Sequence, residues 1–242
     1  MLFWTNTKVI GDIHQFFRRH WQRALRIREK VRFSEEAFHL VLAGGVGVLG
    51  GLVNLFFYWA NESVKAIFLG QPGDPVEVAY MMEHWWQRVL TPTLGGLAAG
   101  LVLYWGLRLA GPQRSSNLLE VVVAGDGRLP LRSAIVKFVS SLITIGSGGS
   151  IGREGGITQL TATLASKWGQ FAKWHPYRLR LLVGCGAASG IAAAYNAPIS
   201  GAVFAALIVL GNFSMNLFAP LVFASVVATM VSRSFFGSAL LT

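Results

Sequence analysis

The sequence predicts an all-α integral membrane fold built of several tilted and broken helices. Three observations carry that prediction. Only 13% of the 242 residues are charged, 53% are hydrophobic and the mean hydropathy is +0.50, whereas soluble domains carry about 25% charged residues. Three long stretches contain no Asp, Glu, Lys or Arg: residues 37–61, 89–107 and 181–232. Each reaches the roughly 20 apolar residues that a helix needs to cross the hydrocarbon core, and the third has room for more than one segment. Finally, the later apolar segments are short and interrupted by Gly, Pro or Asn. Broken helices survive at membrane depth only where their freed backbone groups face protein or a water-filled cavity.

Taken in order, residues 1–34 carry eight Lys and Arg against two acids, and Phe17, Trp21, Leu25 and Arg28 recur at helical spacing. That pattern predicts a basic amphipathic segment lying in the membrane interface. Its charge beside the first span predicts a cytoplasmic N-terminus. Because no short apolar core with a small-residue cleavage site is present there, no removable signal peptide is expected. The net charge of +10 is crowded at this end rather than spread over a folded basic domain, so nucleic acid is not the expected partner. Residues 61–88 hold Glu62, Asp74, Glu77 and Glu83 against Lys65 and Arg88, as expected of the opposite face. Residues 108–132 are basic again and return the second span to the cytoplasm. Gly44, Gly45, Gly47, Gly50 and Gly51 in the first span, and Gly95, Gly96 and Gly100 in the second, offer small faces for close helix packing in lipid. Pro92 fits a helix start.

From residue 115 the pattern is irregular. Ser115, Ser116 and Asn117 are competent N-caps for a short helix over 118–123. A Gly-Asp-Gly turn over 124–129 leads to Pro130 and an apolar segment over 133–145, interrupted by Lys137. The run Gly146-Ser147-Gly148-Gly149-Ser150-Ile151-Gly152-Arg153-Glu154-Gly155-Gly156 follows, and then a helical pattern over 157–167. A polar turn at 173–180, an apolar helix over 181–194, a break at Asn196-Ala197-Pro198, a helix to Leu210 and a last segment over 217–230 complete the chain. Short Gly- or Pro-interrupted segments of this kind point to binding sites in transporters.

Glu154 is the only acidic residue from Gly127 to Thr242. An intramembrane carboxylate costs roughly 2.5–3.5 kcal/mol on insertion scales and is a functional candidate by default. The flanking glycines leave backbone amides unshielded, and a helix starting there adds roughly half a positive charge. Such a site binds either the Glu154 carboxylate or a small anion, so the two compete. The alternative is a buried structural ion pair. Arg153 is a poor partner, because i and i+1 side chains on a helix point apart, and Lys137 reaches Glu154 only through the fold. The glycine run is neither a P-loop, since Arg153 and Glu154 follow Gly152, nor a dinucleotide fingerprint. No Ser, His and Asp arrangement suggests catalysis. The lone Cys185 excludes an internal disulfide and gives no support for a metal site. The expectation is therefore a membrane protein that is no enzyme and carries no cofactor.

At these residues the chain resembles a known family. Gly152-Arg153-Glu154-Gly155-Gly156 resembles the GREGP or GKEGP motif of CLC chloride channels and chloride/proton antiporters, with Gly156 where proline is usual. Val136-Lys137-Phe138 stands upstream at the family's spacing, and residues 184–198, GCGAASGIAAAYNAP, are similar to its GAAAGLAAAFNAP segment. The resemblance implies the first inverted-repeat half of a CLC fold over 35–242, with Glu154 as the gating glutamate and Gly152, Arg153, Gly155 and Gly156 bordering an anion site. It further implies chloride as cargo, a bacterial inner (plasma) membrane location, and a homodimer contacting through helices within 198–236. The family's GSGIP motif is missing; Ser115 or Ser116 would substitute for its serine. Leu207 and Ile208 stand where the antiporters carry an inner proton-transfer glutamate, which implies passive or weakly proton-coupled transport rather than full antiport. The family's second half, needed to complete the path, lies beyond Thr242, which leaves a truncated, non-transporting membrane subunit as the other alternative.

Overall fold

The computed structural model describes residues 35–69, 85–111, 118–123, 125–211 and 215–236. The basic segment 1–34 expected from the sequence, and Ser115 and Ser116, lie outside the described residues. Glu35–His39, the described part of the N-terminal unit, are helical; the packing below concerns Leu40–Thr242.

Every described element is helical. α1 (Glu35–Leu69), α2 (Trp85–Leu109) and α3 (Leu118–Val123) precede α4 (Leu131–Gly146), α5 (Arg153–Phe171) and α6 (Pro176–Tyr195). α7 (Pro198–Phe204) runs directly into a π-turn at Ala205–Val209, and α8 (Met215–Phe236) follows. Three of these helices are long and apolar enough to cross a membrane, over Ala37–Phe68, Trp86–Leu109 and Leu217–Phe235.

The centre is α6, in which every residue from Leu181 to Ala194 is buried. Between helices in lipid there is no water to expel, so association rests on packing and hydrogen bonds, and small residues are what permit close approach. α5 and α6 meet in this way. A Cβ placed on Gly186 would stand 2.8 Å from the Ala162 Cα and 2.8 Å from the Thr161 carbonyl, and one on Gly190 would stand 3.0 Å from the Thr158 Cα. Across the other face, Asn54 of α1 donates to the Ala193 carbonyl (3.1 Å) and to the Ser232 hydroxyl (3.0 Å), tying α1, α6 and α8 together. Gly47 faces the Ala224 carbonyl of α8. Val53 and Phe57 of α1, Phe138 and Leu142 of α4 and Ile157 and Leu160 of α5 form an apolar cluster. Within it Phe57 meets Phe138 edge-on, with centroids 5.3 Å apart at 78°.

Several boundaries differ from the sequence reading. α1 continues past Asn61 to Leu69, because Glu62 and Lys65 pair one turn apart at 2.8 Å and carry the helix into the polar stretch. α2 starts at Trp85, so Pro92 lies inside the helix and does not start it. Of the second glycine group only Gly95 packs, against Ser147; Gly96 and Gly100 face open space among the described residues. α6 begins at Pro176, with Pro at its first turn, and takes in Arg178 and Arg180 from the expected polar turn. There the Arg180 guanidinium donates to the Gly125 carbonyl at 2.8 and 3.1 Å. α5 begins at Arg153, not Ile157. Glycine's poor helix propensity made residues 153–156 read as loop, whereas in the fold they form the first turn.

Candidate functional site

The link from α4 to α5 explains the glycine run. Ser147 C-caps α4, its amide bonding back to the Ile143 carbonyl at 3.0 Å. Gly148 then takes φ +89, a left-handed conformation that costs glycine little, and turns the chain toward the start of α5. The N-cap of α5 is Gly152 (φ −67, ψ 127), and no side chain caps the helix. A helix leaves its first amides without intrahelical partners, so this positive end is open to an acceptor.

Glu154 lies in the first turn of α5. Its carboxylate folds back over the helix end, close enough that a Cβ on Gly152 would collide with it. Gly152 must therefore lack a side chain if the carboxylate is to lie there. Tyr195, the last residue of α6, lies near that same carboxylate. Glu154 is half-buried and stands at the edge of a recess of about 210 Å³ lined by Gly155, Thr158, Ile191, Phe204 and Ile208, among others. Glu154 is the one ionisable residue of that lining.

The residues singled out in the sequence fall into three groups. Glu154, Gly152 and Gly155 come together around the end of α5, with open space where a Gly155 Cβ would be. Arg153 is exposed and outside the recess lining, and a Cβ on Gly156 would point away, toward Ser141 (3.2 Å) and Phe57 (3.7 Å). Ser115 and Ser116 are outside the described residues. Ile208 lines the same recess as Glu154 and is held on the π-turn that the Leu210 amide closes onto the Ala205 carbonyl at 2.8 Å. π-turns recur at functional sites.

Two polar contributors were missed. Thr158 lies four residues after Glu154 and so on the same helix face, a spacing that the late start assigned to α5 concealed. The residue is 7% exposed, and its buried hydroxyl has no hydrogen-bond partner among the described residues. Tyr195 is distant from Glu154 in sequence, and no spacing rule connects them. No group of three or more His, Cys, Asp or Glu able to hold a metal occurs among the described residues.

Fold and site together define a membrane protein of broken helices gathered around an uncapped helix end that faces a carboxylate. Comparison with known proteins agrees. A family model described as "Voltage gated chloride channel" matches residues 95–242, and the chain belongs to that family. It is 39% identical over 203 residues (82% of this chain, 47% of the relative) to a protein named "chloride channel protein ClcB-like" from Ralstonia nicotianae. It is 36% identical over 197 residues (80% and 47%) to the voltage-gated ClC-type chloride channel ClcB of Yersinia pseudotuberculosis, and 35% identical over 200 residues (81% and 47%) to that of Escherichia coli. The crystal structure of a CLC-type fluoride/proton antiporter superposes with a TM-score of 0.61 at 25% identity, covering 84% of this chain and 48% of that one. The chain thus spans about half the length of the curated relatives it matches, and its all-helical fold is that of the corresponding half.

Proposed function

We propose that the chain supplies one half of a transmembrane anion pathway that carries chloride, with Glu154 as its gate. The observation that carries this reading is the uncapped N-terminal end of α5 with the Glu154 carboxylate folded over it at the mouth of a recess. Ionised, the carboxylate occupies the place where the helix end would attract a halide. Protonated, it loses that attraction and frees the place. Gly152 and Gly155 border the site through their backbones, and Arg153 adds positive charge at its exposed side. The names of the relatives support chloride as cargo; the similar fluoride/proton antiporter adds fluoride as a competing one.

Transport is passive or weakly proton-coupled; the aliphatic Ile208 in the same recess lining, where the antiporters carry a glutamate, supports this reading. Residues 35–242 act as the membrane domain, with 1–34 as a basic interfacial segment on the cytoplasmic side of the inner membrane. A further set of helices completes the pathway. Two copies associate through 198–236, where Ile199, Phe223 and Met230 are exposed.

The test is chloride flux from liposomes holding the complete gene product. Wild-type flux should rise as pH falls, and Glu154→Gln should flatten that dependence at a high level. Equal pH dependence in the two proteins would defeat the gate. Proton movement driven by a chloride gradient would defeat weak coupling in favour of antiport, and a fluoride gradient run in parallel decides the cargo.

A further inference from the structure

Away from the recess, the start of α4, the end of α5 and the start of α6 are joined through the loop over 125–130, and buried bonds fix that loop. Leu129, 1% exposed, donates its amide to the Ser166 hydroxyl of α5 at 3.0 Å, and the same hydroxyl donates to the Gly127 carbonyl at 2.6 Å. The Arg180 guanidinium of α6 donates to the Gly125 carbonyl at 2.8 and 3.1 Å. Gly127 lies so close to α6 that a Cβ on it would stand 3.2 Å from the Arg180 amide nitrogen. On this fixed frame Arg128 is exposed, as are Arg132 just beyond Pro130 and Lys173 in the turn after α5.

Local electrostatics oppose these charges. Arg132 and Arg178 stand in the first turns of α4 and α6, neither of which holds an acid, and a helix dipole disfavours cations there. Lys173 takes φ 55, as Asn196 does. Asparagine tolerates that left-handed conformation, but a turn closing a helix is filled most easily by glycine, so what lysine adds is its charge. Apart from Glu154, the one acid from residue 121 to 242 is Asp126, which is exposed on the same loop. Among the described residues Arg128, Arg132 and Lys173 have no carboxylate partner. Cations gathered against their own helix ends call for an external anion. Phe171 and Tyr177, each 58% exposed, stand on either side of Lys173 in the chain. Exposed rings beside cations at the ends of membrane helices sit at headgroup level, and a soluble anion gives such rings nothing to contact. Keeping a loop on one side during insertion asks only for charge somewhere in it, not for a buried frame that fixes where each charge stands.

We propose that this patch docks the headgroup of an anionic phospholipid, with Arg128, Arg132 and Lys173 holding its phosphate and Phe171 and Tyr177 lying against the lipid below it. The site is separate from the recess and does not depend on Glu154 being a gate.

The experiment uses the complete gene product in phosphatidylcholine vesicles carrying traces of brominated phosphatidylglycerol or, in parallel, brominated phosphatidylcholine. Bromine quenches nearby tryptophan, and the part of the quenching that Trp174→Phe removes reports the patch. In the wild type that part should appear at a lower mole fraction of the anionic lipid than of the zwitterionic one. A cation near a charged membrane surface contributes about fivefold to association. Arg128→Gln/Arg132→Gln/Lys173→Gln should therefore weaken the anionic response by more than about tenfold and leave the zwitterionic one unchanged. Arg128→Lys/Arg132→Lys, which keeps the charge, should stay within about twofold of wild type. Equal quenching by the two lipids in the wild type overturns the proposal, and so does a triple variant that keeps the preference or loses both responses alike. Loss of the preference in inorganic phosphate but not in chloride of equal ionic strength also overturns it, by assigning the patch to a soluble anion.

Discussion

Replacing Asn54 by leucine isolates one polar clamp at membrane depth. The asparagine is 8% exposed, and its amide makes two bonds, to the Ala193 carbonyl and to the Ser232 hydroxyl. The first serves a group that the helix leaves over: the Asn196 and Ala197 amides both go to the Ala192 carbonyl, so the carbonyl of Ala193 is bypassed and takes its donor from α1. Leucine fills much the same volume, so the loss is polar rather than a cavity. In lipid, interhelical hydrogen bonds average about 0.6 kcal/mol and reach about 1.7. Two of them give a destabilisation of about 1 to 3 kcal/mol. The assay is reversible denaturant unfolding of the complete gene product in micelles, for Asn54→Leu, Ser232→Ala and the pair. The single Asn54 variant should lose that amount, and the cycle should return a coupling of about 0.6 kcal/mol or more. A variant within about 0.3 kcal/mol of wild type, or strictly additive effects, would refute the argument, for then the amide finds equal partners when the helices separate.

Two further outcomes follow from the geometry. Gly186→Ala drives a methyl against the backbone of Ala162 and Thr161; overpacking of this kind costs about 1–3 kcal/mol, against a propensity gain of about 1 kcal/mol for alanine over glycine. A net loss of stability in the same unfolding assay is expected, and a stabilised variant would mean that α5 moves aside freely. Ile208→Glu sets a second carboxylate in the lining of the recess that holds Glu154, and proton uptake driven by a chloride gradient should increase over wild type in liposomes; unchanged proton movement would show that the wall at this position does not limit coupling.

What the sequence revealed divides along physical lines. The long apolar spans in α1, α2 and α8 were legible because crossing a membrane demands a long apolar run with few charges. The break at Asn196-Ala197-Pro198 was legible because proline cannot continue a helix and asparagine tolerates the left-handed conformation observed there. Glu154 stood out because no other acid exists from Gly127 to Thr242. The start of α5 was misplaced because local propensity disfavours glycine in a helix, while the fold uses its missing side chain to let the carboxylate lie back over Gly152. Tyr195 and the Asn54 clamp were illegible because both contacts depend on which helix ends meet, and no periodicity records that. Thr158 would have followed from the helical repeat once α5 was known to begin at Arg153.

The burial of α6 carries a consequence for how such chains are counted. The fourteen residues from Leu181 to Ala194, ten of them Gly, Ala, Ser or Cys, are all buried inside the protein, and α6 is absent from the helices that qualify as spans by length and apolarity. Greasiness therefore marks the perimeter of this protein rather than its depth in the bilayer. The innermost helix is surrounded by neighbouring backbone, whose demand is slenderness, and length and apolarity alone do not single out the element against which α5 and α8 pack.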